Sequence, residues 1–337
     1  MDRDPHNPHT RAMRSVRHSR ARLVALGAGW SPAALISVAL ALGVGPAGCR
    51  KSEVARPDEV VRAEPTTPYL ARRHAHETQL RELGPSPGEY SDDAPPRGVQ
   101  SVTYPSGELS LRAWYATPLG ASGSRSAPAL VYFHGDFAFG PDDFEAVRPF
   151  LDAGYVVMAP TLRGENGNPG DFELLWGEVD DARAAVEWLA AQPMVDRRRV
   201  YAFGHSIGGA VAAMLSLYPQ LPLRMSASCG GIYVPETFGR WAASTGNREL
   251  VRFDPSDPSE TELRVLGPNL PWMVHRHVAY VGRDDPWFID NAAALERRAW
   301  ELGKPFEKIE VPGDHMASLA PALAAFLELT YLDIPGS

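Results

Sequence analysis

Three polar side chains, far apart in the chain, could together form a reactive serine. Ser206 lies in the motif GHSIGG at residues 204–209, between a short apolar run and a run of small residues that predicts a helix. A serine flanked by glycines in a tight strand-to-helix turn is typical of a nucleophile elbow, because larger side chains would crowd that turn. The chemistry that this motif predicts is acyl transfer through the hydroxyl of Ser206.

A serine hydroxyl needs a base that takes its proton and an acid that orients the base. His315 follows the last predicted strand, as the base of such a set should. Asp284 and Asp285 both follow the apolar residues 278–281. Asp285 is favoured because it stands three residues past the turn glycine, and Asp284 remains the alternative. We therefore predict Ser206 as nucleophile, His315 as general base and then acid, and Asp285 as the carboxylate that orients the base.

Two backbone N–H groups should stabilise the oxyanion of the tetrahedral intermediate. One is predicted to be that of Ile207, directly after the nucleophile. The second should come from the loop at residues 134–140, which follows the third predicted strand. Asp136 or Phe137 could supply it, and Asp136 is preferred.

The elements that would position these residues alternate along the chain. Continuous apolar runs predict buried parallel strands, and helical spacing appears between them. Two alternating runs around residues 105–107 predict an antiparallel hairpin at the start. We therefore expect an α/β fold with a mostly parallel, doubly wound sheet. The predicted strands are residues 99–104, 109–116, 129–133, 155–159, 199–203, 226–234, 277–281 and 306–311, and the predicted helices include 176–191 and 316–329.

Composition excludes several other functions. The formal net charge of the 337 residues is −8, although residues 1–48 carry six Arg against two Asp, so the remainder is more acidic still. An acidic body argues against a nucleic-acid partner, because phosphate binding needs a basic surface. Cys49 and Cys229 cannot form a disulfide framework, and no Cys/His cluster has the spacing of a zinc site, so we expect no catalytic metal.

The beginning of the chain is typical of an export signal. Five arginines between residues 11 and 22 precede residues 23–49, which contain no charged side chain. The small residues before Cys49 resemble the end of a bacterial lipobox, in which that cysteine would carry the lipid. Simple cleavage of the signal, an uncleaved membrane-spanning helix and a start at Met13 remain open. The lipoprotein, the secreted protein and the protein with an uncleaved span would all lie outside the cytoplasm, and the lipoprotein is favoured.

The chain therefore divides into three predicted parts. Residues 1–48 are the export signal, residues 49–96 a flexible tether or a wrap on the domain surface, and residues 97–337 the catalytic domain. A small cap is expected at residues 235–272, whose aromatic side chains could contact substrate or only pack under a loop.

With these motifs the chain resembles the α/β-hydrolase superfamily and, within it, the catalytic domain of the prolyl oligopeptidase family. The resemblance rests on the order Ser206, Asp285, His315 and on Arg163-Gly164 with its following glycines. It implies hydrolysis of amides or esters through an acyl-enzyme, without a cofactor. The residues between Cys49 and the domain are too few for the β-propeller of family peptidases, and Asp136 replaces a frequent glycine.

Taken together, the sequence predicts an exported serine hydrolase that favours esters or small acyl groups. Two alternatives remain: a peptidase acting on short peptides, and a non-catalytic surface protein that keeps the fold for binding. The expected partners are a small ester or peptide and a membrane contacted through the N-terminal anchor.

Overall fold

The computed structural model describes residues 67–119, 127–244 and 246–333. The predicted signal, Cys49 and the first part of the predicted tether lie outside these residues. Across the described ranges, none of the helices combines the length and the apolar content that a bilayer span requires. The strands are β1 (Gln100–Ser106), β2 (Leu109–Ala116), β3 (Ala127–Phe133), β4 (Val156–Pro160), β5 (Val195–His205), β6 (Met225–Cys229), β7 (Arg276–Gly282) and β8 (Phe306–Val311). The helices are α1 (Tyr69–Ala75), α2 (Pro141–Asp152), α3 (Gly177–Ala190), α4 (Ser206–Met214), α5 (Pro235–Ala243), α6 (Pro258–Glu262), α7 (Pro286–Leu302) and α8 (Leu319–Leu332).

The strands form one eight-stranded sheet in the order β1-β2-β4-β3-β5-β6-β7-β8. β1 and β2 form the predicted hairpin, β2 pairs antiparallel with β4, and every other pair is parallel. This is the α/β-hydrolase fold that the sequence predicts. The reversal of strand order at β4 and β3 requires crossovers to both faces of the sheet.

Helices cover both faces, which explains why the central strands read as continuous apolar runs. In β3, Val131 and Phe133 pack in the core on the side of α3, α4 and α7. Leu130 and Tyr132 of the same strand pack on the other side, against residues of α2 and α8. All four side chains are buried, since successive residues of a strand point to opposite faces.

The parallel strands bring distant loops together. β5, β7 and β8 run in the same direction, so their carboxyl ends lie at one edge of the sheet. The loops after these strands carry Ser206, Asp285 and His315 respectively. Ligands of open α/β sheets bind at this edge, and here the fold places the candidate site there.

Residues 67–96 pack on the surface of the domain, as in the wrap that the sequence analysis left open beside a flexible tether. The side chain of Tyr69 is fully buried. Arg73 lies 4.0 Å above the ring of Trp176 and pairs with Asp180 at 2.9 Å. Arg252 donates hydrogen bonds to two carbonyl groups of this segment, at 2.8 Å each. Burial of an aromatic ring and paired guanidinium groups hold the segment, although its composition is typical of a linker.

The cap at residues 235–272 contains α5 and α6. Phe238 is fully buried and stacks on Phe253, with ring centroids 6.2 Å apart. Arg264 is also buried, lies over Phe253 at 3.8 Å and pairs with Glu260. Phe238 is therefore a packing residue of the cap, whereas Trp241 is partly exposed and its ring centroid lies 6.4 Å from that of Phe137 in the loop after β3.

Candidate active site

The turn between β5 and α4 forces Ser206 into a strained conformation. Its φ is 52°, in the left-handed region that non-glycine residues rarely adopt. A Cβ on Gly204 would overlap the carbonyl group of Gly208, and a Cβ on Gly208 would overlap the carbonyl oxygen of Phe133. Both glycines are therefore required by close backbone approach, and the resulting turn presents the hydroxyl above the sheet edge.

The hydroxyl, imidazole and carboxylate predicted from the sequence lie in hydrogen-bonding contact. His315 Nε2 is 3.1 Å from Ser206 Oγ, and its Nδ1 is 2.9 Å from Asp285 Oδ2. The Asp285 side chain is buried, whereas Asp284 is exposed. A buried carboxylate on Nδ1 fixes the tautomer that leaves Nε2 free to accept the serine proton.

Backbone contacts between the loops after β7 and β8 set the distance between acid and base. The N–H groups of Arg283 and Asp284 donate to the carbonyl oxygens of Val311 and Gly313, at 2.9 and 3.1 Å. A Cβ on Gly282 would overlap the carbonyl oxygen of Gly313, so a glycine is needed there. The two loops thus meet directly at the backbone.

A side-chain turn in the loop after β8 makes the last helix begin later in the sequence than predicted. Asp314 Oδ1 accepts the N–H groups of Met316 and Ala317, at 3.1 and 2.9 Å. This side-chain turn competes with the helix, so α8 begins at Leu319 and not at residue 316 as predicted. His315 lies inside this turn, ahead of the helix, so the turn also fixes the backbone that carries the imidazole.

Aromatic rings pack around the imidazole of His315. The ring of Phe288 stacks on it, with centroids 4.5 Å apart and planes inclined by 24°. The ring of His205 lies 5.1 Å away, and its Nε2 donates to the carbonyl oxygen of His315 at 3.1 Å. Burial lowers the pKa of His205, which favours the neutral ring. These contacts restrict how the imidazole can turn.

The residues predicted to supply the oxyanion N–H groups lie around one cavity beside the nucleophile. Ile207 is in the first turn of α4, where backbone N–H groups have no partner within the helix. Asp136 lies in the loop after β3 with a φ of 63°. Both residues line the cavity, whose room of about 10 Å³ is that of a single water. Its other lining residues are mostly apolar and include Phe137, Phe172, Leu175 and Val211.

A buried carboxylate shapes one wall of that cavity. Glu178 is 3% exposed and accepts three backbone N–H groups of the loop before α3. Burial, with Glu173 nearby, raises the pKa of Glu178 to about 7. Leu174 and Leu175 in this loop have positive φ values of 50° and 67°. The carboxylate therefore holds a strained backbone that carries apolar side chains to the cavity.

Sequence patterns alone did not single out Phe288, Glu165 or Asn166, each of which contacts the site residues or their loops. Phe288 stands three residues after Asp285 at the start of a helix. This spacing was the only feature of the sequence that could have indicated a position near the site. Glu165 and Asn166 lie in a 3₁₀ turn (Glu165–Gly167) that is too short to show a periodic pattern. Within the described residues, no group of three or more His, Cys, Asp or Glu side chains is arranged to hold a metal ion.

Comparison with known proteins shows a family match. The model of the X-Pro dipeptidyl-peptidase family (S15 family) matches residues 53–246, more than half of the chain. An uncharacterized protein of Mycobacterium tuberculosis is 32% identical over 147 residues, which are 42% of this chain and 51% of that protein. The uncharacterized peptidase YtmA of Bacillus subtilis is 31% identical over 91 residues, 26% of this chain and 35% of that protein. The chain thus spans about half the length of the first of these curated relatives, and less of the second.

Solved structures share the fold at low sequence identity. A puromycin-hydrolyzing peptidase of Mycobacterium tuberculosis superposes with a TM-score of 0.60 at 19% identity, over 69% of this chain and 39% of that one. A thermophilic esterase of the planctomycete Thermogutta terrifontis gives a TM-score of 0.55 at 18% identity, over 71% of this chain and 97% of that one. The chain is a serine hydrolase with a prolyl oligopeptidase-like catalytic domain, and it belongs to the X-Pro dipeptidyl-peptidase (S15) family.

Proposed function

We propose that the chain hydrolyses carboxylic esters or amides through an acyl-enzyme on Ser206, with esters of small acyl groups favoured. The proposal rests on two consecutive hydrogen-bonding contacts. Ser206 Oγ lies 3.1 Å from His315 Nε2, and His315 Nδ1 lies 2.9 Å from Asp285 Oδ2. A nucleophile, a base and an orienting acid in this order are the requirements for covalent acyl transfer.

Each side chain has one role in the proposed reaction. Ser206 Oγ attacks the carbonyl carbon while His315 Nε2 takes its proton, and the Asp285 carboxylate stabilises the imidazolium that forms. The N–H groups of Ile207 and Asp136 stabilise the oxyanion. His315 then gives the proton to the leaving alcohol or amine, which leaves an acyl-enzyme. Water, deprotonated by His315, attacks the acyl carbon, and His315 then gives that proton to Ser206 Oγ as the acid leaves.

The preference for small acyl groups rests on the cavity beside the proposed oxyanion hole. Its walls include Phe137, Phe172 and Leu175, and its room of about 10 Å³ suits a methyl group better than a long chain. An acetyl ester would place its methyl group there without displacing the walls.

A second candidate is hydrolysis of short peptides or aminoacyl amides. The observation that favours it is the match of the family model, whose description is X-Pro dipeptidyl-peptidase. A non-catalytic binding role, the third possibility at the level of sequence, is not retained because the chain is a serine hydrolase.

A fluorophosphonate probe tests the proposed nucleophile. We expect covalent labelling of the wild-type protein, no labelling of Ser206→Ala, and a loss of about 10⁶-fold in kcat in that variant. Ser216→Ala is the matched control, since this buried serine donates to the carbonyl oxygen of Ala213 at 2.6 Å and should leave labelling normal. Labelling of Ser206→Ala at the wild-type rate would overturn the assignment.

A substrate panel decides between ester and peptide. The kcat/KM values of p-nitrophenyl esters from acetyl to octanoyl are compared with those of prolyl and aminoacyl p-nitroanilides. We expect the highest value for the acetyl or propionyl ester and a steady fall with chain length. Activity confined to the anilides would make the second candidate correct.

Export and lipid anchoring are also proposed, on the residues outside the described ranges. The basic start, the uncharged residues 23–49 and Cys49 support them. Cys49→Ser should release the protein from the membrane fraction, whereas Cys229→Ser, which changes the other cysteine, should leave it there. Equal membrane association of both variants would remove the lipid anchor from the proposal.

A further inference from the structure

The loop between β3 and α2 is held at two points by neighbouring side chains from the loop after β4. Glu165 Oε2 lies 3.1 Å from Nε2 of His134. The side-chain amide of Asn166 pairs with the backbone of Phe139: it accepts the N–H at 2.9 Å and donates to the carbonyl oxygen at 2.8 Å. Asp136 lies between these two held residues.

His134 also acts on the peptide plane that carries the N–H of Asp136. Its Nδ1 lies 2.8 Å from the carbonyl oxygen of Gly135. That carbonyl and the N–H of Asp136 belong to one planar trans peptide unit, in which the two groups point in opposite directions. A hydrogen bond that fixes the carbonyl therefore also fixes the direction of the N–H.

The contacts of His134 require a charged ring. Both nitrogens face oxygen acceptors, so both must carry a proton. Burial alone would lower the pKa of His134, but the Glu165 carboxylate outweighs it and raises that pKa to about 9. Glu165 is itself buried and accepts the N–H of Leu162 at 2.7 Å. The hydrogen bonds to His134 are thus charge-assisted and well positioned.

Backbone strain shows why the loop needs these contacts. Asp136 and Asn166 have φ values of 63° and 46°, in the left-handed region. Strained conformations of this kind persist only where surrounding contacts hold them. Ser86 Oγ adds one such contact by donating to the carbonyl oxygen of Phe137 at 2.5 Å.

We propose that Glu165 and Asn166 are positioning residues of the oxyanion hole. Glu165 acts through His134 and the Gly135 carbonyl, and Asn166 acts through the backbone of Phe139. Together they aim the N–H of Asp136 at the oxygen of the tetrahedral intermediate. The inference rests on the proposed function, because it needs Ser206 as the nucleophile.

Two variants separate positioning from stability. Asn166→Gly removes both hydrogen bonds to Phe139 and keeps a residue that tolerates positive φ. Glu165→Gln removes the charge that holds His134. Asn168→Ala is the matched control: this buried side chain donates to Thr161 and Leu162 in the same loop. The readouts are kcat and KM on an acetyl ester, the inhibition constant of an alkyl boronic acid and the thermal midpoint.

We expect kcat of Asn166→Gly to fall about 10- to 100-fold with KM within about threefold, since the oxyanion hole acts on the transition state and little on bound substrate. The inhibition constant of the boronic acid, whose tetrahedral adduct places an oxygen in the hole, should rise in parallel. Glu165→Gln should change kcat, KM and the inhibition constant in the same directions as Asn166→Gly. Asn168→Ala should lower the thermal midpoint without a comparable change in kcat.

Three results would overturn the inference: wild-type kcat in folded Asn166→Gly, a rise in KM at constant kcat, or an equal loss of kcat in Asn168→Ala. If Glu165→Gln does not fold, Asn166→Gly decides alone. Failure of the wild-type protein to label at Ser206 is a separate outcome, because it would remove the proposed function itself.

Discussion

The ring of Phe288 stacks on the imidazole of His315, with centroids 4.5 Å apart. Its backbone N–H also donates to the carbonyl oxygen of Asp285 at 3.2 Å, so one turn at the start of α7 carries both the acid and the ring that packs on the base. An aromatic pair contributes about 0.5–1.5 kcal/mol beyond the area it buries. We therefore expect Phe288→Leu to lower kcat by about 2- to 12-fold, because the imidazole can turn away from Ser206.

Steady-state kinetics on an acetyl ester check this expectation. Trp300→Leu is the control, since Trp300 lies on the same helix and is 83% exposed. It should leave kcat unchanged. Equal kcat values for both variants would show that stacking on His315 does not contribute.

Asp285→Asn should lower kcat by about 10³- to 10⁴-fold, because an amide cannot hold the imidazole in the required tautomer or stabilise its charged form. Asp284→Asn is the neighbouring control. Its exposed side chain should leave kcat near the wild-type value. If Asp284→Asn were the inactive variant, the assignment of the acid would pass to Asp284, the alternative at the level of sequence.

Gly208→Ala should inactivate the protein, because its Cβ would overlap the carbonyl oxygens of Phe133 and His134 and displace the turn that carries Ser206. Fluorophosphonate labelling of the soluble variant measures the loss, which we expect to exceed about 100-fold. Gly239→Ala is the matched substitution, since no atom lies within 4 Å of its added Cβ. In α5 it should raise stability by up to about 1 kcal/mol. Normal labelling of Gly208→Ala would show that the carbonyl oxygens of Phe133 and His134 leave room for a Cβ at this position.

The pair of His134 and Glu165 predicts a pH-dependent difference in stability. The pKa of His134 is raised to about 9 in the folded protein, above its ordinary value near 6.5. Its contribution to the free energy of unfolding is therefore fully present below about pH 6.5 and is lost as the pH rises through about 9.

Urea unfolding at pH 6, 7.5 and 9.5 measures the free energy of unfolding of the wild-type protein and of Glu165→Gln. The two proteins are compared with each other at each pH. The wild-type protein should be the more stable at pH 6, and the gap should narrow toward pH 9.5. A gap that does not change with pH would show that Glu165 stabilises the fold without binding a charged His134.

Local constraints explain how much of the site could be predicted from sequence. Gly204 is needed because the backbone of Gly208 approaches it within the same motif, so this part of the turn geometry is local to the sequence. Gly208 is needed because the carbonyl oxygen of Phe133 approaches it from a neighbouring strand. The apolar runs predicted the parallel strands, and parallel strands bring their carboxyl ends to one edge. The eight-stranded sheet confirms the fold class, and the family match confirms the serine hydrolase assignment.

Sequence alone determined which residue types could react and that a parallel sheet would bring their loops to one edge, because those properties depend on neighbours in the chain. Only the tertiary structure placed Asp285, and not Asp284, within reach of His315, and only it brought Phe288, Glu165 and Asn166 against the site. It also packed residues 67–96 on the domain. These contacts join residues far apart in sequence through single hydrogen bonds and ring faces, which leave no periodic pattern in the chain.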